Sequence, residues 1–159
     1  GVVPDVVIGT FGKALGSFGA FVATTAPIAE LLWNRARTLV FSTGMPASVA
    51  AASRAAIEVV RSSDGAARRR TLERHARWLR SRVPGLGGVA WGPIAPLVIG
   101  ADEAVMAVTA RLLDDGLFVQ GVRPPTVAVG TSRLRIGLSA SHTPEDVAQL
   151  ATALAGLAG

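Results

Sequence analysis

A single lysine near the start of the chain is the residue best suited to covalent chemistry. Among 16 lysines and arginines only Lys13 is a lysine, and glycines stand at positions 9, 12, 16 and 19 around it. A lysine amine has a reference pKa of about 10.4 that burial and nearby cations can lower, so it can act as a nucleophile or a base, whereas arginine stays charged. An amine among glycines suits a Schiff base with a carbonyl compound. An ordinary turn lysine is the alternative, and composition alone leaves both interpretations open.

The spacing around the lysine excludes a phosphate-binding loop of the nucleotide-triphosphate type. That loop needs a glycine, four residues, then Gly-Lys followed by Ser or Thr. Val7 stands where the first glycine would be, and Ala14 follows the lysine. The pattern therefore fails at both ends.

The elements that must position Lys13 are predicted to be two strands joined by the glycine-rich turn. Val6 to Gly9 is apolar without alternation, which is typical of a buried parallel strand. Phe18 to Ala23 predicts the next strand, so the lysine lies in the turn between them. We expect this first part of the chain to be a piece of a doubly wound sheet.

Further helices and strands are predicted along the rest of the chain. Helices are expected at 27–35, 46–61, from the Ser62–Gly65 break to about Pro84, and at 102–115. Strands are expected at 38–41, 89–91, 97–99, 117–122 and 134–138. The later half therefore predicts a small α+β unit.

A last helix is predicted from its start signal and its apolar periodicity. Thr143 is the expected cap, Pro144 the first helical residue, and Asp146 an acidic residue in the first turn. The expected apolar stripe comprises Val147, Leu150, Leu154 and Leu157.

Three motifs follow one another along the chain. The first runs from Pro4 to Gly16 around Lys13, the second from Phe41 to Pro46, and the third comprises 120–127 with 130–135 and 141–143. In this order they resemble the α-oxoamine synthases, which are pyridoxal-phosphate enzymes of the aspartate-aminotransferase fold. The resemblance covers essentially all of the chain.

The resemblance implies an α/β fold, namely the C-terminal portion of a fold-type I pyridoxal-phosphate transferase. Residues 1–62 would be the C-terminal piece of the large cofactor-binding domain. Residues 63–159 would be a linking helix and a small α+β C-terminal domain. The family's cofactor-stacking histidine, and the aspartate that pairs with the pyridine nitrogen, would lie before the equivalent of Gly1, so we expect a larger enzyme of which this is the C-terminal part.

Four residues are implied to hold the cofactor, pyridoxal 5'-phosphate. Lys13 resembles the residue that forms the Schiff base and then moves the α-proton of the substrate. Thr10 matches a position that bonds the cofactor phosphate, with a strand-end hydroxyl that satisfies the backbone as the alternative. Ser42 and Thr43 resemble a pair that reaches a cofactor phosphate across a dimer interface, with a strand-to-helix turn that caps the following helix as the alternative.

Three residues are implied to bind substrate. Arg135 matches an arginine that holds the substrate carboxylate, which a guanidinium can grip bidentately. Arg133 would share its strand face, and we favour Arg135 for the ligand. Arg123 and Thr126 resemble the variant in the branch of the family that makes 8-amino-7-oxononanoate.

The implied activity is therefore a decarboxylative condensation of L-alanine with pimeloyl-CoA or a pimeloyl carrier-protein thioester, in biotin biosynthesis and in a homodimer. Other α-oxoamine synthases, of the glycine acetyltransferase, aminolevulinate synthase or serine palmitoyltransferase type, are the nearest alternative. A non-catalytic fragment is an alternative from a different class.

Charge and composition restrict the other functions. The net charge is +5, and the densest basic run comprises Arg68, Arg69, Arg70, Arg74, Arg77, Arg80 and Arg82. Apolar residues interleave with this run, which indicates the solvated face of an amphipathic helix or a partner surface, and few aromatics are present for stacking on bases. We therefore expect no nucleic acid as a partner.

Metal and membrane sites are not expected. The chain has no cysteine and two separated histidines, which disfavours zinc. We expect His75 to be exposed and His142 to be a cap or packing residue. No apolar run reaches the length of a membrane span, so we expect a cytoplasmic protein without a membrane partner.

Overall fold

The computed structural model describes residues 1–156 and forms two compact units. The first is Gly1–Ala66 and the second begins at Ala67. The predicted domain boundary at residue 62 remains a prediction. Leu157, predicted in the last apolar stripe, lies outside the described residues.

A β-hairpin begins the first unit. Strands β1 (Val6–Thr10) and β2 (Ala20–Thr24) pair antiparallel, with Val6 opposite Thr24 and Thr10 opposite Ala20. The expectation of a buried parallel strand at 6–9 is wrong for the described chain, because β1 has one antiparallel neighbour and its side chains are largely exposed. An apolar run signals a strand, but burial requires layers packed on both faces.

Three helices complete the first unit. They are α1 (Ala26–Arg35), α2 (Arg37–Val40) and α3 (Ala47–Arg61). The predicted strand at 38–41 is wrong. The N–H groups of Val40 and Phe41 donate to the carbonyls of Ala36 and Arg37, so this apolar segment satisfies its backbone within a short helix.

The long helix α4 (Ser63–Arg82) begins at the predicted break, where the N–H of Gly65 donates to the Ser62 hydroxyl at 3.2 Å. A turn follows α4, and Gly92 N–H donates to the Val89 carbonyl at 2.8 Å. The predicted strand at 89–91 is therefore wrong, since this segment closes on itself rather than onto a neighbouring strand.

A three-stranded antiparallel sheet forms the centre of the second unit. Its order is β3 (Ile94–Gly100), β5 (Ser132–Gly137), β4 (Gln120–Val122). Two helices accompany it, α5 (Asp102–Asp114) and α6 (Pro144–Ala155). This arrangement is the α+β unit that the sequence predicts.

One hydrophobic core fills the second unit. Strand β5 alternates buried and more exposed positions, so that Leu134 and Ile136 lie inside and Arg135 outside. The core joins α4, the sheet, α5 and α6 through Ala76, Leu79, Val83, Ala95, Val105, Leu112, Val119, Leu134, Ile136, Leu138, Val147, Leu150, Ala151 and Leu154.

The start of α6 follows the predicted capping pattern. The Thr143 hydroxyl accepts from the N–H of Asp146 at 3.1 Å, and the Asp146 carboxylate accepts from the N–H of Thr143 at 2.8 Å. His142, just before the cap, accepts the N–H of Ser139 at its Nδ1. His75 was expected to be exposed, but it is buried and its Nε2 lies 3.0 Å from the carbonyl oxygen of His142.

Candidate functional site

The glycine-rich turn between β1 and β2 is held by its own backbone. Phe11 N–H donates to the carbonyl of Gly19, Ser17 N–H to that of Phe11, and Gly16 N–H to that of Lys13, each at 2.9 Å. Gly16 and Gly19 have φ of 60° and 92°, which glycine adopts without strain. The turn therefore presents Lys13 on a defined loop that continues β1.

The two residues predicted to meet one cofactor lie side by side. The Lys13 Nζ donates to the Thr10 hydroxyl oxygen at 3.2 Å, and both side chains are exposed. Thr10 is the last residue of β1, so its hydroxyl lies at the strand end, where the turn begins. The observed contact of the Thr10 hydroxyl is therefore with a side chain, and not with the backbone as the alternative interpretation required. The structure thus places an amine next to a hydroxyl.

Side chains of α3 and of the segment before it hold the turn in place. The hydroxyls of Ser17 and Ser53 lie 2.8 Å apart, and Ser53 is buried. A Cβ added to Gly19 would come within 2.5 Å of the Met45 methyl, so the segment before α3 packs closely on the turn. The turn therefore contacts α3 through Ser53 and the preceding segment through Met45.

Ser42 and Thr43 lie between α2 and α3, three and two residues before Met45. The Ser42 hydroxyl donates to the carbonyl of Thr38, one helical turn back. Helix α3 has Pro46 at its N-cap position with no side-chain cap. The alternative in which Ser42 or Thr43 caps this helix is therefore wrong, and both residues are exposed.

The three predicted substrate residues line one cavity in the second unit. Arg123, Thr126 and Arg135 surround a volume of about 450 Å³ at the open edge of the sheet. Arg135 extends from β5, and Arg123 and Thr126 lie on the turn after β4, where the Thr126 N–H donates to the Arg123 carbonyl at 3.0 Å. Two guanidinium groups and a hydroxyl suit a carboxylate ligand.

Arg133 and Arg135 separate as the strand geometry predicts. Both lie on the outward face of β5, but Arg133 donates from Nε to the carbonyl of Thr131 at 2.9 Å and is absent from the cavity lining. The choice of Arg135 for the ligand remains a prediction, and its position in the cavity supports it.

Sequence reasoning missed a residue of this cavity, Gln120. It lies opposite Arg135 in the pairing of β4 with β5, and its side-chain oxygen accepts from an Arg135 terminal nitrogen at 3.4 Å. Its side chain joins the cavity lining. The two residues come together only through the pairing of β4 with β5, which the sequence does not specify.

The part of the chain that the structure describes contains no cluster of three or more histidine or carboxylate side chains able to hold a metal ion. Over the same residues, no helix is both long enough and apolar enough to cross a membrane.

Comparison with known proteins identifies the relatives of this chain. Residues 2–154 match the family model described as aminotransferase class I and II. The 8-amino-7-oxononanoate synthase of Geobacter metallireducens is 46% identical over 156 residues, which are 96% of this chain and 40% of that protein. The synthase of the same name from Geobacter sulfurreducens is 47% identical over 154 residues, or 95% of this chain and 39% of that protein. The chain spans about 40% of the length of the curated relatives it matches.

Solved structures of pyridoxal-phosphate enzymes have a fold similar to that of this chain. A serine palmitoyltransferase of S. paucimobilis, solved with a pyridoxal-phosphate–myriocin aldimine, superposes with a TM-score of 0.87 at 28% identity, over 97% of this chain and 40% of its own. This likeness confirms the predicted α/β fold, the C-terminal portion of a fold-type I pyridoxal-phosphate transferase.

Proposed function

Because the chain belongs to the aminotransferase class I and II family, we propose that it supplies the C-terminal part of a pyridoxal-phosphate-dependent 8-amino-7-oxononanoate synthase. The reaction transfers the pimeloyl group from its thioester to the α-carbon of L-alanine, releases the free thiol and carbon dioxide, and yields 8-amino-7-oxononanoate. This is a step of biotin biosynthesis in the cytoplasm. Synthases of that name at 46% and 47% identity support this choice of substrates.

The observation that carries the proposal is the contact between the Lys13 amine and the Thr10 hydroxyl at 3.2 Å. Pyridoxal phosphate has an aldehyde that bonds to an amine and a phosphate that accepts hydrogen bonds from hydroxyls. The donor set at the turn contains one group of each kind on adjacent side chains, so these residues fit the cofactor. Bound there, pyridoxal phosphate supplies an electron sink for the substrate α-carbon.

Lys13 has two roles in this proposal. Its Nζ would hold the cofactor covalently, and as a free amine it would take the α-proton of the substrate as general base. Thr10 donates its hydroxyl to the cofactor phosphate. Since both residues are at the end of β1 or in the turn that follows it, the hairpin fixes their spacing.

Arg135 binds the amino-acid carboxylate in this proposal. Its planar guanidinium can donate N–H groups to both carboxylate oxygens and so orient the bond that breaks in decarboxylation. Arg123 and Thr126 bind substrate beside it, and their presence in the same 450 Å³ cavity supports this grouping. Two arginines in one cavity also favour acidic substrates over neutral ones.

A homodimer completes the site in this proposal. Ser42 and Thr43 of one protomer would donate to the cofactor phosphate held by the other. Their exposure on the segment that packs on the glycine-rich turn supports a role at a surface between protomers. The Ser42 hydroxyl would exchange its contact with the Thr38 carbonyl for the phosphate.

The superposition on serine palmitoyltransferase supports a second candidate, another α-oxoamine synthase with a different amino acid and acyl donor. A longer protein that contains this chain, assayed with L-alanine, L-serine or glycine against pimeloyl-CoA and palmitoyl-CoA, separates the two. Product from alanine and pimeloyl thioester alone supports the first candidate. Turnover of another pair alone replaces it.

The cofactor assignment can be tested on the chain itself. We expect pyridoxal phosphate to give a visible absorbance band that borohydride removes, and mass spectrometry to place the reduced adduct on Lys13. Because Lys13 is the only lysine, the α-amino group of Gly1 is the one competing amine. Lys13→Ala should abolish the band, and Lys13→Arg should do the same because a guanidinium does not form this bond.

An adduct confined to Gly1, or a band of equal strength in Lys13→Ala, would contradict the assignment for this chain. It would support the alternative in which the chain is a fragment that does not hold the cofactor.

A further inference from the structure

The positive charge of this protein is concentrated on one helix. Helix α4 has seven arginines and two acidic residues, while the rest of the chain has nine basic and nine acidic residues. The whole net charge of +5 therefore corresponds to the excess on α4. A charge distribution this uneven creates a strong local potential on one surface.

Three arginines form a stripe on the outward face of α4. Arg70, Arg74 and Arg77 follow the i, i+4, i+7 spacing that places side chains on one side of a helix, over a length of about 10 Å. All three are exposed. The opposite face carries Ala76 and Leu79, which are fully buried in the core.

Two of the three arginines contact other side chains of α4. Arg77 pairs with Glu73 at 2.8 Å, and Arg74 donates to the Thr71 hydroxyl at 2.9 Å. Glu145, at the start of α6, borders the groove beside Arg74. Even with both carboxylates counted, the stripe keeps a positive excess.

Two classes of anionic partner fit this surface poorly. The apolar face of α4 lies in the core, so the helix has no face to insert into a lipid bilayer. Nucleic acid would place phosphates against Glu73 in the middle of the stripe. The one large aromatic side chain on α4, Trp78, already lies under the Arg82 guanidinium at 5.4 Å, which removes a platform for base stacking.

We propose that the stripe Arg70–Arg74–Arg77 docks an acidic acyl carrier protein that delivers the acyl thioester. The inference rests on the proposed function, which requires an acyl donor carried either by coenzyme A or by a protein. Carboxylates on an acidic helix can match three arginines at one-turn spacing, and Glu73 can pair with a basic residue of such a partner. Charge complementarity of this kind selects the partner and speeds encounter.

Direct binding tests the docking surface. The probe is a phosphopantetheine-bearing acyl carrier protein loaded with a pimeloyl group, titrated against the whole chain by calorimetry at about 50 mM and about 300 mM salt. The triple variant Arg70→Glu, Arg74→Glu, Arg77→Glu should bind at least about tenfold more weakly at low salt. The triple Arg→Lys variant should retain most of the affinity, because the charge is kept.

A charge-matched control separates the stripe from net charge. The variant Arg35→Glu, Arg37→Glu, Arg54→Glu carries the same change on exposed residues elsewhere and should bind the carrier normally. Circular dichroism of every variant reports that the fold is kept. The proposal would be overturned if both charge-reversal variants lost affinity for the carrier equally, or if the stripe variant lost none.

Two further probes decide between partners. Short duplex DNA and vesicles of phosphatidylglycerol should bind more weakly than the carrier at equal salt, and tighter binding of either would overturn the proposal. Turnover of pimeloyl-CoA by a longer protein that contains this chain tests the proposed function separately from the docking surface. If no donor is turned over, the proposed function fails, while stripe-dependent carrier binding would still support the docking surface.

Discussion

The two compact units of this chain bury their side chains to very different extents. In the second unit fourteen apolar residues form one core, and eight of them, on α4, the sheet, α5 and α6, are exposed by 1% or less. In the first unit, among residues 1–66, only Ser53 and Gly65 are buried. Large apolar side chains there remain open, with Ile8, Phe18 and Trp33 each 72% exposed.

This difference shows that apolar composition alone does not produce a core. The hairpin β1–β2 is as apolar as any strand of the second unit, yet each of its strands has one neighbour in the described chain. Strand β5 is flanked on both edges by strands, and its inward face meets helices. Burial follows from the number of layers around a strand rather than from its sequence.

The largest expected effect comes from removing a core side chain in the second unit. Leu134→Ala should lower the free energy of unfolding by about 2–5 kcal/mol, because it leaves a cavity at a fully buried position of β5. Ile8→Ala, on exposed β1, should change it by less than about 0.5 kcal/mol. Urea denaturation followed by circular dichroism measures both. Similar losses in the two variants would mean that the units do not differ in packing.

An intermediate effect is expected from the arginine that closes the turn after α4. The arginine run predicts Arg80 on a solvated face or a partner surface. Its guanidinium instead donates to the carbonyls of Ala76, Gly87, Gly92 and Ile94 at 2.9–3.2 Å. Arg80→Ala should cost about 1–3 kcal/mol because those carbonyls lose charge-assisted donors.

Arg77→Ala is the matched control on the same helix. Its exposed pair with Glu73 is worth about 0.3–0.5 kcal/mol, typical of i,i+4 pairs. Thermal denaturation of the two variants compares them directly. A larger loss of stability in Arg77→Ala than in Arg80→Ala would show that the hydrogen bonds of Arg80 do not hold the turn.

The smallest expected effect is pH-dependent and belongs to α6. The backbone N–H of Thr143, and then its side chain, hold the pKa of the Asp146 carboxyl below its usual value. Since the folded pKa is lowered, the stabilisation is present above the unfolded pKa and is lost as the pH falls through the folded pKa. Asp146→Asn should lower the melting temperature near neutral pH, and the difference should vanish in strong acid. A difference in melting temperature that stays constant across this pH range would show that the ionised carboxylate does not cause the stabilisation.

Local signals predicted much of the fold because they act through neighbouring residues. The capping box at Thr143 and Asp146 and the helix stop at Gly116, with φ of 79°, are set within one turn of chain. The wrong strands at 38–41 and 89–91 are short apolar runs, for which periodicity cannot separate a strand from a short helix or a turn.

The candidate site also contains contacts that follow from local spacing and contacts that depend on tertiary structure. Thr10 and Lys13 are three residues apart at the end of one strand, so their proximity follows from local spacing. Arg135 and Gln120 are fifteen residues apart, and only the register of β4 on β5 places them at one cavity. The resemblance assigned roles to Arg123, Thr126 and Arg135, but it assigned none to Gln120, which stands in the same motif.

The sequence by itself determined the local features of this protein: the glycine-rich turn that carries Lys13, the caps and stops of its helices, and the family signature. These depend on backbone conformation and on hydrogen bonds within a few residues. Only the tertiary structure decided which apolar runs are buried, that His75 lies inside, and that Arg80 binds carbonyls rather than water. Those outcomes require contacts between segments distant in the chain, and the free energy of such contacts depends on packing that no single segment encodes.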